Sequence, residues 1–167
     1  NPIGMERVSK LVKKGSKVVF IVPDRVKGGE QPTSHRKLSI KYLLEELYES
    51  GVEKKDILFI ISNGLHARST EKDSKAIFGE ELHRDFWGTG QIISHDSEDR
   101  ENMVNLGYTK RGDWVSVNRF VFEADLAILI GHVQGNPYGG YSGGYKHSAT
   151  GITDWKSIAS HHVPSVM

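Results

Sequence analysis

An α/β fold is what the sequence predicts: one domain, a mainly parallel sheet, helices on both faces. Three observations predict it. Residues 17–22 (KVVFIV), 57–61 (ILFII) and 125–131 (DLAILIG) are short apolar runs rich in Ile, Leu and Val. Continuous rather than alternating apolar runs are the mark of strands buried on both faces. Segments with helical spacing lie between them, and alternating strands and helices form parallel sheets.

The first run ends at Pro23 and Asp24. RVKGGEQPTSH then reads as a loop marked by glycine and proline. Residues 36–50 follow as a helix, because Ile40, Leu43, Leu44 and Leu47 recur on one stripe. Thr33 or Ser34 is expected to cap its start, and Gly51 its end. The second run leads into the turn SNGLHARST and a short helix over residues 71–78. Residues 91–94 are expected as a third strand, followed by the polar run HDSEDREN. Residues 115–124 are compatible with helix or strand. After the last apolar run comes a glycine-rich loop, then a helix over residues 153–161. No internal repeat or low-complexity linker is present, so the pattern is that of one domain.

Composition removes several function classes. With 22 basic and 21 acidic residues the net charge is +1, without the basic excess of a nucleic-acid binder. The apolar run over residues 126–131 is far too short to cross a bilayer. The first residues, NPIGMERVSKLVKKG, lack the apolar centre of a signal peptide. A chain without cysteine fits a cytoplasmic location, which is the expectation here. There are no cysteines, so any metal must use histidine, carboxylate or sulfur borne by a ligand.

In parallel sheets, ligands bind outside the carboxyl ends of the strands. Three candidate groups fall there: Asp24, His66, and His132 with the loop GNPYGGYSGGYKHSATG (residues 135–151). Clustered glycine lets backbone approach a ligand and present N–H groups. Lys146 within it can neutralise a phosphate or act as a nucleophile. The loop is neither a P-loop nor a dinucleotide fingerprint; its plainer reading is a tight structural loop. His66 suits a general base, since imidazole titrates at about pH 6.5; its plainer reading is an exposed turn histidine. His161 and His162 are adjacent, and helical neighbours point about 100° apart, so one is expected inward and one outward. Asp24 and Arg25, with Arg36 and Lys37, could bind an anion or simply solvate a helix start. The acidic run 96–101 reads as a solvated face.

Taken in order, these segments resemble the amino-terminal domain of nickel-dependent lactate racemases over nearly the whole chain. The most specific element is NPYGGYSGGYK (residues 136–146), followed sixteen residues later by His162. NGLHARST and DLAILIG support it. The resemblance implies that Lys146 is covalently joined to a nickel-pincer nucleotide, a pyridinium mononucleotide bearing sulfur groups. It implies that His162 ligates the nickel, that His66 is an acid/base, and that Asp24, Arg25, Ser142, Gly143 and Gly144 help hold the cofactor. Soft ligands carried by the cofactor would explain nickel chemistry without cysteine.

Two departures stand out. The family's second acid/base histidine lies ten residues before the lysine, where this chain has Asn136. Asn136 thus occupies a catalytic position but cannot take up a proton; His132 is the histidine nearest in sequence to stand in. The family's DxTRxxP segment is replaced by PDRVKGGEQPTSHRK, in which Asp24 matches the Asp and Arg25 or Arg36 the arginine.

The implied activity is racemisation or epimerisation of a small-molecule 2-hydroxy acid, with no nucleic acid or membrane as partner. Residues 1–167 are then expected to be the N-terminal part of a two-domain protein, inactive without its C-terminal domain because the family's site lies between the two. Two rival readings stand beside it. One is a phosphate- or nucleotide-binding domain without nickel chemistry. The other is a zinc hydrolase with His66, His132 and His162 around one metal, although no HExxH spacing is present.

Overall fold

The computed structural model describes residues 2–137 and 140–166. Asn1, Tyr138, Gly139 and Met167, which belong to motifs quoted above, lie outside the described residues. The elements in chain order are α1 (Val8–Leu11), β1 (Val18–Val22), α2 (His35–Glu49), β2 (Ile57–Ile61), α3 (Glu71–Phe78), α4 (Glu80–Phe86) and β3 (Ile92–Ser94). Then come β4 (Met103–Tyr108), β5 (Trp114–Asn118), α5 (Arg119–Phe122), β6 (Leu126–Leu129), β7 (Gln134–Asn136), β8 (Gly140–Ser142) and α6 (Trp155–His161).

The central sheet has four strands in the order β3-β2-β1-β6, and every pairing in it is parallel. All five residues of β1 are buried, because the strand is flanked on both edges and covered on both faces. Val18, Phe20 and Val22 face one way and pack with Phe59 and Ile61 of β2 against α2, α3 and α4. Phe59 stacks on Phe20 at 4.8 Å and meets Phe78 and Phe86 edge-on at 5.3 and 5.0 Å. Val19, Ile21 and Ile60 face the other way, against Ile152 and Val121 of α5. The long helices therefore lie on one face, and short segments cover the other. The whole is a single α/β domain.

Helix α2 ends as the sequence predicts. Gly51 takes φ 85°, and Val52 N–H returns to the Leu47 carbonyl, the pairing of a Schellman cap. Its start differs. Ser34 precedes the helix but makes no side-chain cap bond. The ambiguous stretch 115–124 proves to be strand and helix in succession. Asn118 divides them, its side chain accepting from Phe120 N–H to start α5. The expected C-terminal helix begins at Trp155, two residues late, because Asp154 caps it through Ser157 N–H at 2.8 Å. Four features went unpredicted: α1, α4, the β4–β5 hairpin, and the β7–β8 hairpin inside the glycine loop. Among the described residues no helix is long and apolar enough to cross a membrane.

Strand β1 sits between β2 and β6, so the chain winds away from it in opposite directions. That arrangement opens a crevice at the carboxyl ends of the strands.

Candidate functional site

A cleft of about 290 Å³ lies at this crevice. Four stretches far apart in sequence form its walls. Asp24 and Lys27 follow β1, and residues 62–66 follow β2. Asn136, Ser142 and Gly143 come from the β7–β8 hairpin, Lys146 and His147 from the turn after it, and His162 from the end of α6.

Asp24 is buried and accepts from His66 Nδ1 at 2.6 Å. A carboxylate on Nδ1 places the ring proton there and leaves Nε2 as the basic nitrogen. The turn carrying His66 is closed by His66 N–H to the Asn63 carbonyl at 2.8 Å and by Asn63 Nδ2 to the His66 carbonyl at 3.0 Å. His66 itself is half exposed and lines the cleft.

Lys146 caps a π-helical turn over His147–Gly151. Its backbone N–H returns to the Gly143 carbonyl at 3.1 Å. Gly143 has φ 90°, and a Cβ there would fall 1.8 Å from the His132 carbonyl oxygen, so no other residue fits. The Lys146 ammonium has neither a hydrogen-bond nor an ion-pair partner among the described residues. A lone amine in a cleft is available to an anion or an electrophile.

His162 donates from Nδ1 to the Ile158 carbonyl at 3.1 Å, which leaves Nε2 with its lone pair. Burial, with His161 and Lys146 nearby, holds its pKa below the ordinary imidazole range. A neutral ring anchored by Nδ1 on a backbone carbonyl is how metal-binding histidines are usually held. His161 contacts Thr150 instead and is not part of the cleft wall. Of the adjacent pair, His162 lines the cleft and His161 does not, although His162 is the more exposed of the two.

The other sequence candidates scatter. Arg25 lies outside the cleft wall, its guanidinium held by Glu30 at 2.5 Å and Asp73 at 2.8 Å, which raises its pKa. Arg36 is fully buried behind the cleft. It donates to the Gly28 carbonyl at 2.9 Å, and burial lowers its pKa to about 10. Gly144 is exposed beside the cleft rather than in its wall. His132 pairs with Gln134 and also stands outside the wall. The three-histidine zinc arrangement is therefore not assembled. Among the described residues no three His, Asp or Glu side chains are grouped to hold a metal.

Two titratable residues of the cleft wall, Lys27 and His147, are not among the site residues chosen from the sequence. Lys27 stands three residues after Asp24 on a 3-10 turn, and side chains at i and i+3 eclipse on such a turn. That spacing, which is also that of Asp and Arg in DxTR, was the available signal. His147 carried no signal beyond its place after Lys146.

The lactate racemase N-terminal domain family model matches residues 1–167. The lactate racemase of Thermoanaerobacterium thermosaccharolyticum is 30% identical over 97% of this chain and 36% of its own length. That of Lactiplantibacillus plantarum is 28% identical over the same shares. This chain thus spans little more than a third of these relatives. The structure of the lactate racemase apoprotein from T. thermosaccharolyticum superposes with a TM-score of 0.76, covering 92% of this chain and 34% of that one. A Thermotoga maritima protein shares the fold, with a TM-score of 0.68 at 21% identity over 91% of this chain and 39% of that one. The chain belongs to the lactate racemase N-terminal domain family.

Proposed function

We propose that this chain is the cofactor-anchoring and proton-transferring part of a 2-hydroxy acid racemase or epimerase that uses a nickel-pincer nucleotide. One observation carries the proposal: an unpartnered amine, a metal-ready imidazole and a carboxylate-held imidazole share one cleft. The residues fit the group. Lys146 Nζ would be the attachment point, and His162 Nε2 would ligate the nickel. The glycine turn at Ser142 and Gly143 brings backbone close to the nucleotide. When bound, the cofactor supplies a hydride acceptor and donor for the substrate's α-carbon.

The chain's own residues do the rest. His66 Nε2 takes the proton of the substrate hydroxyl and returns it, while Asp24 holds the ring and stabilises its protonated state. Lys27 is the cation for the substrate carboxylate, since Arg25 is engaged by Glu30 and Asp73 and Arg36 is buried away from the cleft wall. Apolar walls such as Ile158 limit water around the keto acid. Activity requires the C-terminal domain that closes the other side of the site, so residues 1–167 alone are inactive.

Intact-protein mass tests the reading. The full-length protein, co-produced with the enzymes that make the cofactor, carries an added mass mapping to Lys146 and one nickel. Lys146→Ala loses the added mass. Protein with neither adduct nor nickel would sink the proposal and leave a phosphate-binding loop as the better account.

A further inference from the structure

Three imidazoles line the cleft, and the mechanism above uses only His66 and His162. The third, His147, is 9% exposed and lines the same cleft from a separate element, the turn after the β7–β8 hairpin, which packs against the start of the His66 turn. Its Nδ1 lies 3.5 Å from Ser62 Oγ, whose hydroxyl donates to the Val22 carbonyl at 3.2 Å. With that hydroxyl proton committed to Val22, donation from His147 Nδ1 to the Ser62 oxygen is the arrangement that leaves Nε2 with its lone pair. Nε2 has no hydrogen-bond partner among the described residues. Burial, assisted by Arg36, Lys27 and His132 and opposed by Asp24, holds the ring's pKa below the ordinary range. Burial therefore favours the neutral ring, whose free nitrogen can accept a proton. The ring lies there because residue 131 is glycine: a Cβ would stand 2.7 Å from Cε1 and 2.8 Å from Nε2.

Stereochemistry creates a need for such a group. Suppose the substrate carboxylate is held at one place and the α-hydrogen must point at one hydride acceptor. The two enantiomers then exchange the positions of hydroxyl and side chain. Their hydroxyl protons therefore leave in different directions, and one fixed imidazole serves only one of them. Asn136 cannot serve the other.

We propose that His147 is the second proton-transfer residue of this cleft, acting on the enantiomer whose hydroxyl points away from His66. In that step the substrate O–H bond breaks and an N–H bond forms at His147 Nε2. The O–H electron pair stays on oxygen as the new carbonyl bond, while hydride leaves the α-carbon for the cofactor. The reverse step returns both. The proposal rests on the hydroxy-acid reading above.

The test uses full-length protein loaded with cofactor, and the Lys146 adduct mass confirms that each variant is folded and loaded. Racemisation has an equilibrium constant of one, so both directions must fall together in any variant. The informative readout is keto acid formed in a single turnover from each enantiomer separately. His147→Gln is expected to slow one enantiomer by about 10²-fold or more, the usual worth of a proton-transfer group. The other should stay within about threefold of the unchanged protein. His66→Gln should show the opposite preference, and Gly131→Ala, which displaces the His147 ring without removing it, should resemble His147→Gln. Independently, titrating the loaded protein with lactate should move the ring NMR signals of His147 and His66 saturably and leave those of buried His95 in place. Equal slowing of both enantiomers, no slowing of either, or a His147 signal that ignores lactate overturns the proposal while leaving the cofactor reading intact. A missing Lys146 adduct in the unchanged protein overturns both.

Discussion

Asp24 and His66 stand 42 residues apart in sequence and 2.6 Å apart in the fold. The carboxylate is buried and the imidazole is half exposed, so the pair joins a rigid support to a group that can meet substrate. Asp24→Asn keeps the shape but removes the charge that stabilises the protonated ring. Expected is a fall in racemisation of about 10²-fold or more with the Lys146 adduct retained, measured as turnover beside intact mass. Unchanged turnover would remove His66 from the proton path. At the same scale, neither guanidinium nominated for the substrate carboxylate lines the cleft. Arg25 is satisfied by two acids, and Arg36 is buried away from the cleft wall with the Gly28 carbonyl as its acceptor, so the proposal gives that task to Lys27. Formal charge is visible in a sequence, but what already neutralises it is not.

Helix α6 sets where His162 stands. Asp154 caps its start through Ser157 and also accepts from Trp114 Nε1 at 3.1 Å, which ties the helix to the β4–β5 hairpin. Removing such a cap costs about 1 kcal/mol. Asp154→Ala should lower unfolding free energy by about that amount in denaturant titration. It should weaken nickel retention during dialysis more than it weakens the Lys146 adduct, because the lysine sits on a different turn. Loss of adduct and nickel in equal measure would show that α6 does not position the metal ligand separately. At the element scale the sequence was legible where apolar spacing dominates. The strand Ile57–Ile61 and helix Glu71–Phe78 stand at the predicted residues. It failed where a single polar side chain divides two elements, as Asn118 does between β5 and α5. It failed again at the start of α2, where Ser34 lacks the cap bond its residue type suggests.

Across the whole molecule, acid sensitivity follows from buried histidines. His95 is buried, donates from Nε2 to the Thr153 carbonyl at 2.8 Å and accepts from Asn118 Nδ2 at 3.2 Å. Burial keeps its pKa below the ordinary value, as it does for His147 and His162. The sign is therefore fixed. Below about pH 6.5 the unfolded chain takes up protons that the folded chain refuses. Stability is full above that pH and declines as pH falls from there through the folded-state values. His95→Gln should lower stability at pH 7.5 by about 1–3 kcal/mol, the usual result of disturbing a buried hydrogen-bonded group. It should also flatten the decline between pH 7.5 and 5.5, seen in unfolding free energy at each pH. An unaltered slope would show that His95 does not carry the effect.

By itself the sequence determined the α/β class, the three principal strands, and the order in which Asp24, His66, Lys146 and His162 occur along the chain. These follow from apolar runs and turn residues, whose information is local. Only the tertiary structure decided that β1 lies between β2 and β6, and this placement turns four distant segments into one cleft. It chose His162 over His161 as the residue lining that cleft, put Lys27 in the wall instead of Arg25, and brought His147 into it. Each of these choices depends on partners dozens of residues away and on which side of the sheet they arrive. No local pattern records that.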